Sequence, residues 1–220
     1  MKKNYNHILF DLDGTLTDSA EGVTRSVQHA LKQYSIDASL EELKSFIGPP
    51  LHQSFIDVYG FSKQEAHRAV EYYRDYYSDV GIFENKVYPD IPELLENLKK
   101  NNKKIYLATS KPTFFAEKIL NYFKLDHFFT TIAGSNLDGT RVEKQEVIAH
   151  VLNENNKIQI EETVMVGDRK HDIYGAKAWK LDSIGVTYGY GSFSELQEAG
   201  STIIVNSITE LMKNLLGYSM

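Results

Sequence analysis

Two acidic residues near the start of the chain have the spacing of a catalytic or metal-binding pair. Asp11 and Asp13 follow the apolar run His7-Ile8-Leu9-Phe10 and come directly before Gly14. Two carboxylates two residues apart, leaving a buried strand, can project into one space. Their mutual repulsion is acceptable only with a cation or a shared proton nearby. Gly14 frees the backbone for a turn and for the close approach of a ligand.

The same segment has two simpler interpretations, an ordinary turn and a calcium loop. An EF-hand loop beginning at Asp11 would need glycine at position 16 and glutamate at position 22, where the chain has Leu16 and Gly22. The calcium loop is therefore excluded. Taken alone, the segment leaves an ordinary turn and a catalytic pair equally open.

A second acidic pair follows another apolar run, Thr163-Val164-Met165-Val166. Asp168 comes at the end of this expected strand, and Asp172 comes one helical turn later. Asp172 alone would be read as a residue that favours a helix N-terminus. Together with Asp11 and Asp13, however, these carboxylates would converge at one edge of a sheet. An all-oxygen cluster of this kind requires a hard cation and suits Mg²⁺.

Three further residues offer what a phosphate group needs. Thr109 and Ser110 follow the expected strand Ile105–Ala108 and provide hydroxyl and backbone donors just before a helix beginning near Pro112. Lys144 opens another expected helix. A lone lysine is usually a solvated surface residue, but a cation is disfavoured at a helix N-terminus, which favours an anionic partner here.

Elements that alternate along the chain must position these residues. Short apolar runs predict buried strands, namely His7–Phe10, Ile105–Ala108, Phe129–Ala133, Thr163–Val166, Asp182–Val186 and Ile203–Val205. Helical periodicity predicts helices between them, namely Pro92–Lys100, Phe114–Phe123, Lys144–Leu152, Ile173–Trp179 and Ile208–Leu216. Alternating strands and helices indicate an α/β fold with a Rossmann-like parallel sheet and helices on both faces.

The stretch after the first strand differs from the rest of the chain, because it has helical periodicity and no convincing strand. The expected helical segments are Glu21–Tyr34, Leu40–Phe46, Leu51–Val58 and Ser62–Val80. We therefore predict a core domain made of residues 1–17 and 88–220, with residues 18–87 inserted as a helical cap domain. Ligands of open α/β sheets bind beyond the carboxyl ends of the strands, where a lid would be useful.

Composition narrows the possible partners. A formal net charge of -6 argues against a nucleic-acid polymer or an anionic membrane surface. The absence of cysteine excludes disulfides and thiolate zinc sites and suits a reducing cytoplasm. Residues Met1–His7 lack the apolar stretch of a signal peptide, and no apolar run approaches membrane-spanning length. We expect a cytoplasmic protein that is a monomer or weak dimer.

The order of these motifs resembles the haloacid dehalogenase superfamily. The resemblance covers the whole chain and rests on Asp11-x-Asp13-Gly14-Thr15, Thr109, Lys144 and Gly167-Asp168-x-x-x-Asp172. It is strongest to the branch that resembles phosphoglycolate phosphatases and 5′-nucleotidases. The chain departs from the common pattern at Asp90, where many relatives have glycine, and after Lys144, which is followed by Gln145 rather than proline.

The resemblance implies a role for each matching residue. Asp11 would be the nucleophile that forms an aspartyl-phosphate and would also bind Mg²⁺. Asp13 would protonate the leaving oxygen and then activate water, with its backbone carbonyl on the metal. Lys144 would pair with Asp11 and the phosphate. Thr109, with Ser110 beside it, would hold phosphoryl oxygens. Asp168 would be a direct metal ligand, and Asp172 would support the site through water or from behind the ligands.

We therefore expect an Mg²⁺-dependent phosphatase for a small phosphorylated metabolite, either phosphoglycolate or a nucleoside 5′-monophosphate. A mutase resembling β-phosphoglucomutase shares all of these motifs and is the nearest alternative. A dehalogenase is disfavoured because its chemistry needs neither a metal nor Asp13, and a non-enzymatic binding protein is disfavoured by the complete acidic set.

Several weaker sequence features have simpler explanations, such as packing between helices. The tyrosines at 72, 73, 76 and 77 are best explained by packing between helices, while Arg25, Arg74 and Lys111 are minor candidates for substrate contact. Leu12-Asp13-Gly14-Thr15 recurs as Leu137-Asp138-Gly139-Thr140, but Asn136 replaces the nucleophile in the second copy. Gly189-Tyr190-Gly191 lacks the third glycine of a dinucleotide-binding motif and is predicted to be a loop.

Overall fold

A computed structural model of the chain describes residues 3–217. The chain divides into two compact units, one made of the residues up to Leu16 together with those from Val87 onward, the other of Thr17–Lys86. These limits differ by one residue at each crossing from the expected domain limits, and the assignment of the inserted unit as a cap stays a prediction. The expectation that no leader precedes the first strand falls partly on Met1 and Lys2, which lie outside the described residues.

The described residues form eight strands and nine α-helices. The strands are β1 His7–Phe10, β2 Thr17–Asp18, β3 Lys86–Val87, β4 Lys104–Pro112, β5 Thr131–Ser135, β6 Thr163–Gly167, β7 Asp182–Val186 and β8 Ile203–Val205. The helices are α1 Ala20–Lys32, α2 Leu51–Tyr59, α3 Lys63–Tyr77, α4 Ile91–Lys100, α5 Thr113–Tyr122, α6 Lys144–Glu154, α7 Lys170–Ala178, α8 Phe193–Ala199 and α9 Ile208–Leu216.

The first unit is built on a six-stranded sheet with the order β5-β4-β1-β6-β7-β8. Every pairing reported within this sheet is parallel, and β1 lies between β4 and β6. Ile8, Leu9 and Phe10 are all fully buried. Because successive strand residues point to opposite faces, helices must cover both faces at the centre of the sheet. This confirms the predicted Rossmann-like α/β class.

One face of this sheet packs on α6 and α7. Leu9, Met165 and Ala133 from the strands share a buried cluster with Val147 and Ile148 of α6. Burying aliphatic side chains of this size contributes about 1.5–3 kcal/mol each relative to exposure. This packing fixes α6 against the strands, and α6 begins with Lys144, so the core of the unit sets the position of that lysine.

Some element limits differ from those expected. The strand predicted over Ile105–Ala108 continues to Pro112, and the strand predicted over Phe129–Ala133 runs over Thr131–Ser135 instead. The helix predicted from Ile173 begins at Lys170, so Asp172 lies in its first turn. The helix α8 was not expected. Ser192 caps it by accepting a hydrogen bond from the backbone N–H of Glu195.

The second unit, Thr17–Lys86, contains α1, α2 and α3 and an aromatic core. Phe46 and Phe55 pack edge to face with ring centroids 5.0 Å apart, and Phe55 stacks on Phe61 at 5.8 Å. Tyr73 and Tyr77 are buried, in agreement with the packing interpretation of that tyrosine row. The predicted helix Leu40–Phe46 is instead a 3₁₀-helix over Glu42–Phe46.

Two short features of this unit bear on the weaker expectations. Arg25 forms ion pairs with Glu21 at 3.0 Å and with Glu84 at 3.4 Å, so its charge is neutralised within the unit. The stretch from Asp18 to Val87 was expected to lack strands, but β2 and β3 form a two-residue ladder at its two ends.

The backbone conformation at Asp90 explains why the chain can have aspartate where many relatives have glycine. Its backbone is left-handed, with φ 69°, at the residue before α4. Glycine adopts this conformation without steric cost, whereas Asp is among the few other residues that tolerate it.

None of the helices in residues 3–217 combines the length and apolar character that crossing a membrane requires.

Candidate active site

Asp11 is held at the end of the central strand of the sheet. Its backbone N–H donates to the carbonyl oxygen of Val166 on β6 at 2.9 Å, which extends the β1–β6 ladder by one residue. The residue is only 5 % exposed. A carboxylate buried to this degree needs partners of opposite charge.

Lys144 supplies that charge. Its Nζ lies 2.8 Å from Oδ1 of Asp11 and 2.8 Å from Oδ1 of Asp172. It also donates to the carbonyl oxygen of Ala108 on β4 at 2.9 Å. The Asp11 oxygen and the Ala108 carbonyl accept hydrogen bonds from the ammonium group, and Asp172 adds a second negative charge at ion-pair distance. Burial alone would lower the pKa of Lys144, but the carboxylates of Asp11 and Asp172 outweigh it and raise the pKa above its ordinary value.

Three carboxylates meet beside this lysine. Asp11, Asp168 and Asp172 are buried, and each offers an oxygen within 4.8 Å of those of the other two. Burial, followed by the charges of Asp172 and Asp11, raises the pKa of Asp168 well above its ordinary range. A single ammonium therefore does not neutralise the cluster, and its donor set of carboxylate oxygens is the type that binds a divalent hard cation.

Asp168 is fixed by two loops. Its Oδ2 accepts a hydrogen bond from the backbone N–H of Tyr190 at 2.7 Å, and Thr15 Oγ1 lies 3.5 Å from Oδ1. Gly14 has φ +82°, and a Cβ atom there would collide with the Asp168 carboxylate. A Cβ atom at Gly189 would collide with both the Gly14 carbonyl oxygen and Asp168. Glycine is required at both positions because the backbones approach the carboxylate too closely for a side chain.

Asp172 lies in the first turn of α7. Its Oδ2 accepts a hydrogen bond from the backbone N–H of Arg169 at 3.1 Å, so it also caps the helix. Burial raises the pKa of Asp172 to about 6, with Lys144 opposing this effect and Asp11 adding to it. Asp172 therefore both supports the start of α7 and lies in the carboxylate cluster, and its part in a metal site stays a prediction.

Asp13 has a different partner from Asp11. Its Oδ2 lies 3.0 Å from Nζ of Lys111, with the side chains of Asp13 and Lys111 12 % and 6 % exposed respectively. Its Oδ1 is buried and has no hydrogen-bond partner among residues 3–217. The sequence placed Lys111 only among minor substrate contacts, so this ion pair was missed.

Thr109 and Ser110 lie within β4 rather than after it. The register of β4 with β5 shifts between Ala108 and Pro112. Thr109 is buried, and its Oγ1 accepts a hydrogen bond from the backbone N–H of Lys111 at 3.3 Å. The carbonyl oxygen of Ser110 accepts one from Ser135 Oγ at 2.8 Å. Both residues are therefore anchored near Ala108, whose carbonyl binds Lys144.

The structure thus brings Asp11, Asp168, Asp172 and Lys144 into one cluster, with Thr109 in the adjoining strand. Asp13 stands beside this cluster in its own pair with Lys111. The sequence missed the contribution of the Gly189–Gly191 loop. That segment is a loop, as predicted, but its backbone holds Asp168, and the two closely spaced glycines were the available signal.

The α/β fold places two buried carboxylates, those of Asp11 and Asp168, after the ends of neighbouring parallel strands. The family model described as haloacid dehalogenase-like hydrolase matches residues 8–186. The chain therefore belongs to the haloacid dehalogenase-like hydrolase family, among its phosphatases, and the predicted resemblance is confirmed.

Three relatives indicate which kinds of enzyme the chain is similar to. A 5′-nucleotidase of Pseudomonas aeruginosa is 49 % identical over 194 residues, which cover 88 % of this chain and 87 % of the relative. A tyrosine-protein kinase, PtkA of Mycobacterium tuberculosis, is 36 % identical over 92 % of this chain and 69 % of its own length. A phosphoglycolate phosphatase of Vibrio parahaemolyticus is 29 % identical over 94 % of each chain.

A solved structure agrees with these relatives. The crystal structure of a predicted phosphatase from Clostridium acetobutylicum is 48 % identical to this chain. It superposes with a TM-score of 0.95, covering 98 % of this chain and 100 % of that one. The similarity extends over both units, so the inserted stretch is part of what the two proteins share.

Proposed function

We propose that this protein is an Mg²⁺-dependent phosphatase of small-metabolite phosphate monoesters that works through an aspartyl-phosphate on Asp11. The observation that carries the proposal is the buried cluster of Asp11, Asp168 and Asp172 around Lys144. A cluster with this excess of negative charge is suited to a divalent cation and then to a phosphate dianion.

In the first step, a carboxylate oxygen of Asp11 attacks phosphorus. An Asp11 O–P bond forms and the bond from phosphorus to the leaving oxygen breaks, with its electron pair remaining on that oxygen. Asp13, acting as the general acid, gives a proton to the leaving oxygen, so the alcohol departs and Asp13 is left as a carboxylate.

In the second step, Asp13 takes a proton from a water molecule whose oxygen attacks the same phosphorus. The Asp11 O–P bond breaks, its electrons return to the Asp11 carboxylate, and inorganic phosphate leaves. Asp13 is again protonated and ready for another turnover. Lys144 holds Asp11 in place in both steps, and we assign phosphoryl oxygens to Lys144, Thr109 and Ser110.

The proposed metal site uses Asp11 and Asp168, the backbone carbonyl of Asp13, and Asp172 in support. When bound, Mg²⁺ would supply positive charge against the carboxylates and the transferring phosphoryl group. The chemistry of the donor set fits this ion, because three buried carboxylates are available and Lys144 neutralises only part of their charge.

We propose nucleoside 5′-monophosphates and phosphoglycolate as the substrate class. The names of the Pseudomonas and Vibrio relatives support this choice. The first of these has the higher identity, which favours nucleoside monophosphates. The expectations of a cytoplasmic location and of a monomer or weak dimer stay predictions, which cell fractionation and size-exclusion chromatography would check.

The test is a phosphate-release screen over nucleoside monophosphates, phosphoglycolate and sugar phosphates with Mg²⁺ or EDTA. Wild-type protein should release phosphate only with Mg²⁺, and Asp11→Asn should abolish release. The chain also offers a matched control in its duplicated motif, because Asp13→Asn should lose turnover of these metabolite phosphates, whose leaving groups need a proton, whereas Asp138→Asn, in the exposed second copy, should keep it.

Retained turnover in Asp11→Asn would reject the aspartyl-phosphate. Mass spectrometry of the products separates this proposal from neighbouring chemistries. Isomerised hexose phosphate without free phosphate would indicate the mutase, and phosphotyrosine formed from ATP and a tyrosine peptide would indicate kinase activity instead.

A further inference from the structure

We propose that Lys111 is a positioning residue that orients Asp13, so that one oxygen of Asp13 alone exchanges protons with the substrate and water. This inference rests on the proposed function, because it concerns how the acid–base residue of that reaction is aimed. Lys111 lies outside the motifs by which the chain resembles the family, so the resemblance implies no role for it.

The first support is the geometry of the pair. Nζ of Lys111 lies 3.0 Å from Oδ2 of Asp13, and the two side chains are 6 % and 12 % exposed. At the protein surface such a pair would contribute little, but a nearly buried charge requires its partner. Lys144 cannot replace Lys111, because its ammonium already has Asp11, Asp172 and a carbonyl oxygen as partners.

The second support is the other oxygen of the same carboxylate. Asp13 Oδ1 is buried and has no hydrogen-bond partner among residues 3–217. A buried acceptor without a partner costs free energy, and such atoms call for a functional explanation. With Oδ2 held by Lys111, the carboxylate presents only Oδ1 to a substrate, and the ion pair opposes rotation that would exchange the two oxygens.

The third support is the rigid mounting of Lys111 itself. It lies in the part of β4 where the register with β5 shifts. Its backbone N–H donates to Thr109 Oγ1 at 3.3 Å, and the carbonyl of the preceding Ser110 is bound by Ser135 Oγ at 2.8 Å. Gly134 passes so close to the Lys111 carbonyl oxygen that a Cβ atom there would collide with it. A residue anchored in this way can serve as a fixed reference for a neighbour.

The consequence for the reaction is a dependence on the leaving group. Proton transfer from Asp13 Oδ1 matters most when the departing oxygen is a poor leaving group. Phenyl phosphate needs that proton, whereas p-nitrophenyl phosphate, which is almost the same size, releases a stable anion and needs it much less. If Lys111 aims Asp13, its loss should harm the first substrate more than the second.

The experiment measures kcat/KM of Lys111→Met with both aryl phosphates, in Mg²⁺. General acid catalysis contributes roughly 10²–10⁴-fold, so imperfect aiming should lower kcat/KM for phenyl phosphate roughly tenfold more than for p-nitrophenyl phosphate. Lys111→Arg should restore part of the kcat/KM for phenyl phosphate that Lys111→Met loses. Lys118→Met makes the same chemical change on the exposed face of α5 and should match wild type with both substrates.

A double mutant tests whether Lys111 acts through Asp13. In an Asp13→Asn background, adding Lys111→Met should cause no further loss in kcat/KM for p-nitrophenyl phosphate. Retained turnover of p-nitrophenyl phosphate by Lys111→Met also demonstrates that this variant is folded, and Lys111→Gln provides a second substitution if it is not.

Equal losses with both substrates, or a KM raised equally for both, would overturn the inference, since they indicate phosphate binding or a general structural role. Additive losses in the double mutant would overturn it as well. Failure of the proposed function gives a different result, namely wild-type protein without Mg²⁺-dependent release or an active Asp11→Asn variant.

Discussion

Replacing Lys144 by methionine separates the structural from the chemical role of this lysine. Methionine has similar length and volume but no charge, so the substitution removes the cation and leaves Asp11, Asp168 and Asp172 buried together. Removing one partner of a buried ion pair costs about 3–5 kcal/mol. For a domain of this size that corresponds to a fall in Tm of about 6–20 °C.

The same substitution should increase the response to Mg²⁺. Without Lys144, the carboxylates lack their compensating charge, and a bound divalent cation becomes the main source of it. We therefore expect Lys144→Met to lose phosphatase activity while its Tm rises more on addition of Mg²⁺ than that of wild type. A ligand that binds only the folded state stabilises it, so a larger shift reports tighter or more strongly coupled binding.

The assay is thermal unfolding at pH 8 in EDTA and at increasing Mg²⁺, with Ca²⁺-free buffer and isothermal titration to obtain the affinity. Lys118→Met, on the exposed face of α5, is the matched control and should behave as wild type. An unchanged Tm in EDTA would refute the buried ion pair. A smaller Mg²⁺ response than in wild type would refute the argument that the lysine and the metal neutralise the same carboxylates.

Four further predictions concern other parts of the site and fold. Burial raises the pKa of Asp172 to about 6, so protons should compete with Mg²⁺, and titration calorimetry should show affinity falling from pH 7 to pH 5; a flat profile would contradict this. In metal-free protein the folded state binds this proton more tightly than the unfolded state does, so the carboxyl favours folding at low pH. That contribution is lost as the pH rises from about 4 through 6, and urea titrations in EDTA of wild type against Asp172→Asn should reveal it. Gly189→Ala should displace Asp168, lower activity, and lower the free energy of unfolding by about 1–3 kcal/mol. Kinetics equal to those of wild type would show that the loop can move to accommodate the methyl group. Asp90→Gly should relieve the left-handed backbone, with φ 69°, and raise the free energy of unfolding by up to about 1 kcal/mol. Urea unfolding curves measure this change, and no gain in stability would mean that the Asp90 side chain stabilises the turn.

Sequence reasoning was reliable where a local pattern decides the structure. Asp182–Val186 and Ile203–Val205 are strands with the predicted limits, because short apolar runs between polar residues have few alternatives in a parallel sheet. The helix α8 was missed because seven residues give little periodicity, although Ser192 and Glu195 carried a usable capping signal. The β5 prediction began early because Phe129 and Thr130 favour strands, while the backbone pairing starts at Thr131.

The site divides in the same way. Asp11, Asp168 and Lys144 could be predicted together because each comes at the end or start of a recognisable element, and parallel strands bring such ends to one edge. The pair of Lys111 with Asp13 could not be predicted, because the two residues lie on different elements far apart in the sequence and no local pattern encodes their contact. The hold of Tyr190 on Asp168 is a backbone contact and is independent of the tyrosine side chain.

The central position of β1 has a consequence for how the chain is made. This strand leaves the ribosome well before its two neighbours, because β4 and β6 begin at Lys104 and Thr163. Ile8, Leu9 and Phe10 therefore remain unpaired until those strands are made, while the contiguous stretch Thr17–Lys86 can already collapse on its own aromatic residues. Asp11 is synthesised before its counter-charge at Lys144 and its acidic neighbours at 168 and 172, which come more than a hundred residues later. A chain that ends before Lys144 therefore contains Asp11 but lacks the lysine and the two aspartates that surround it in the folded protein.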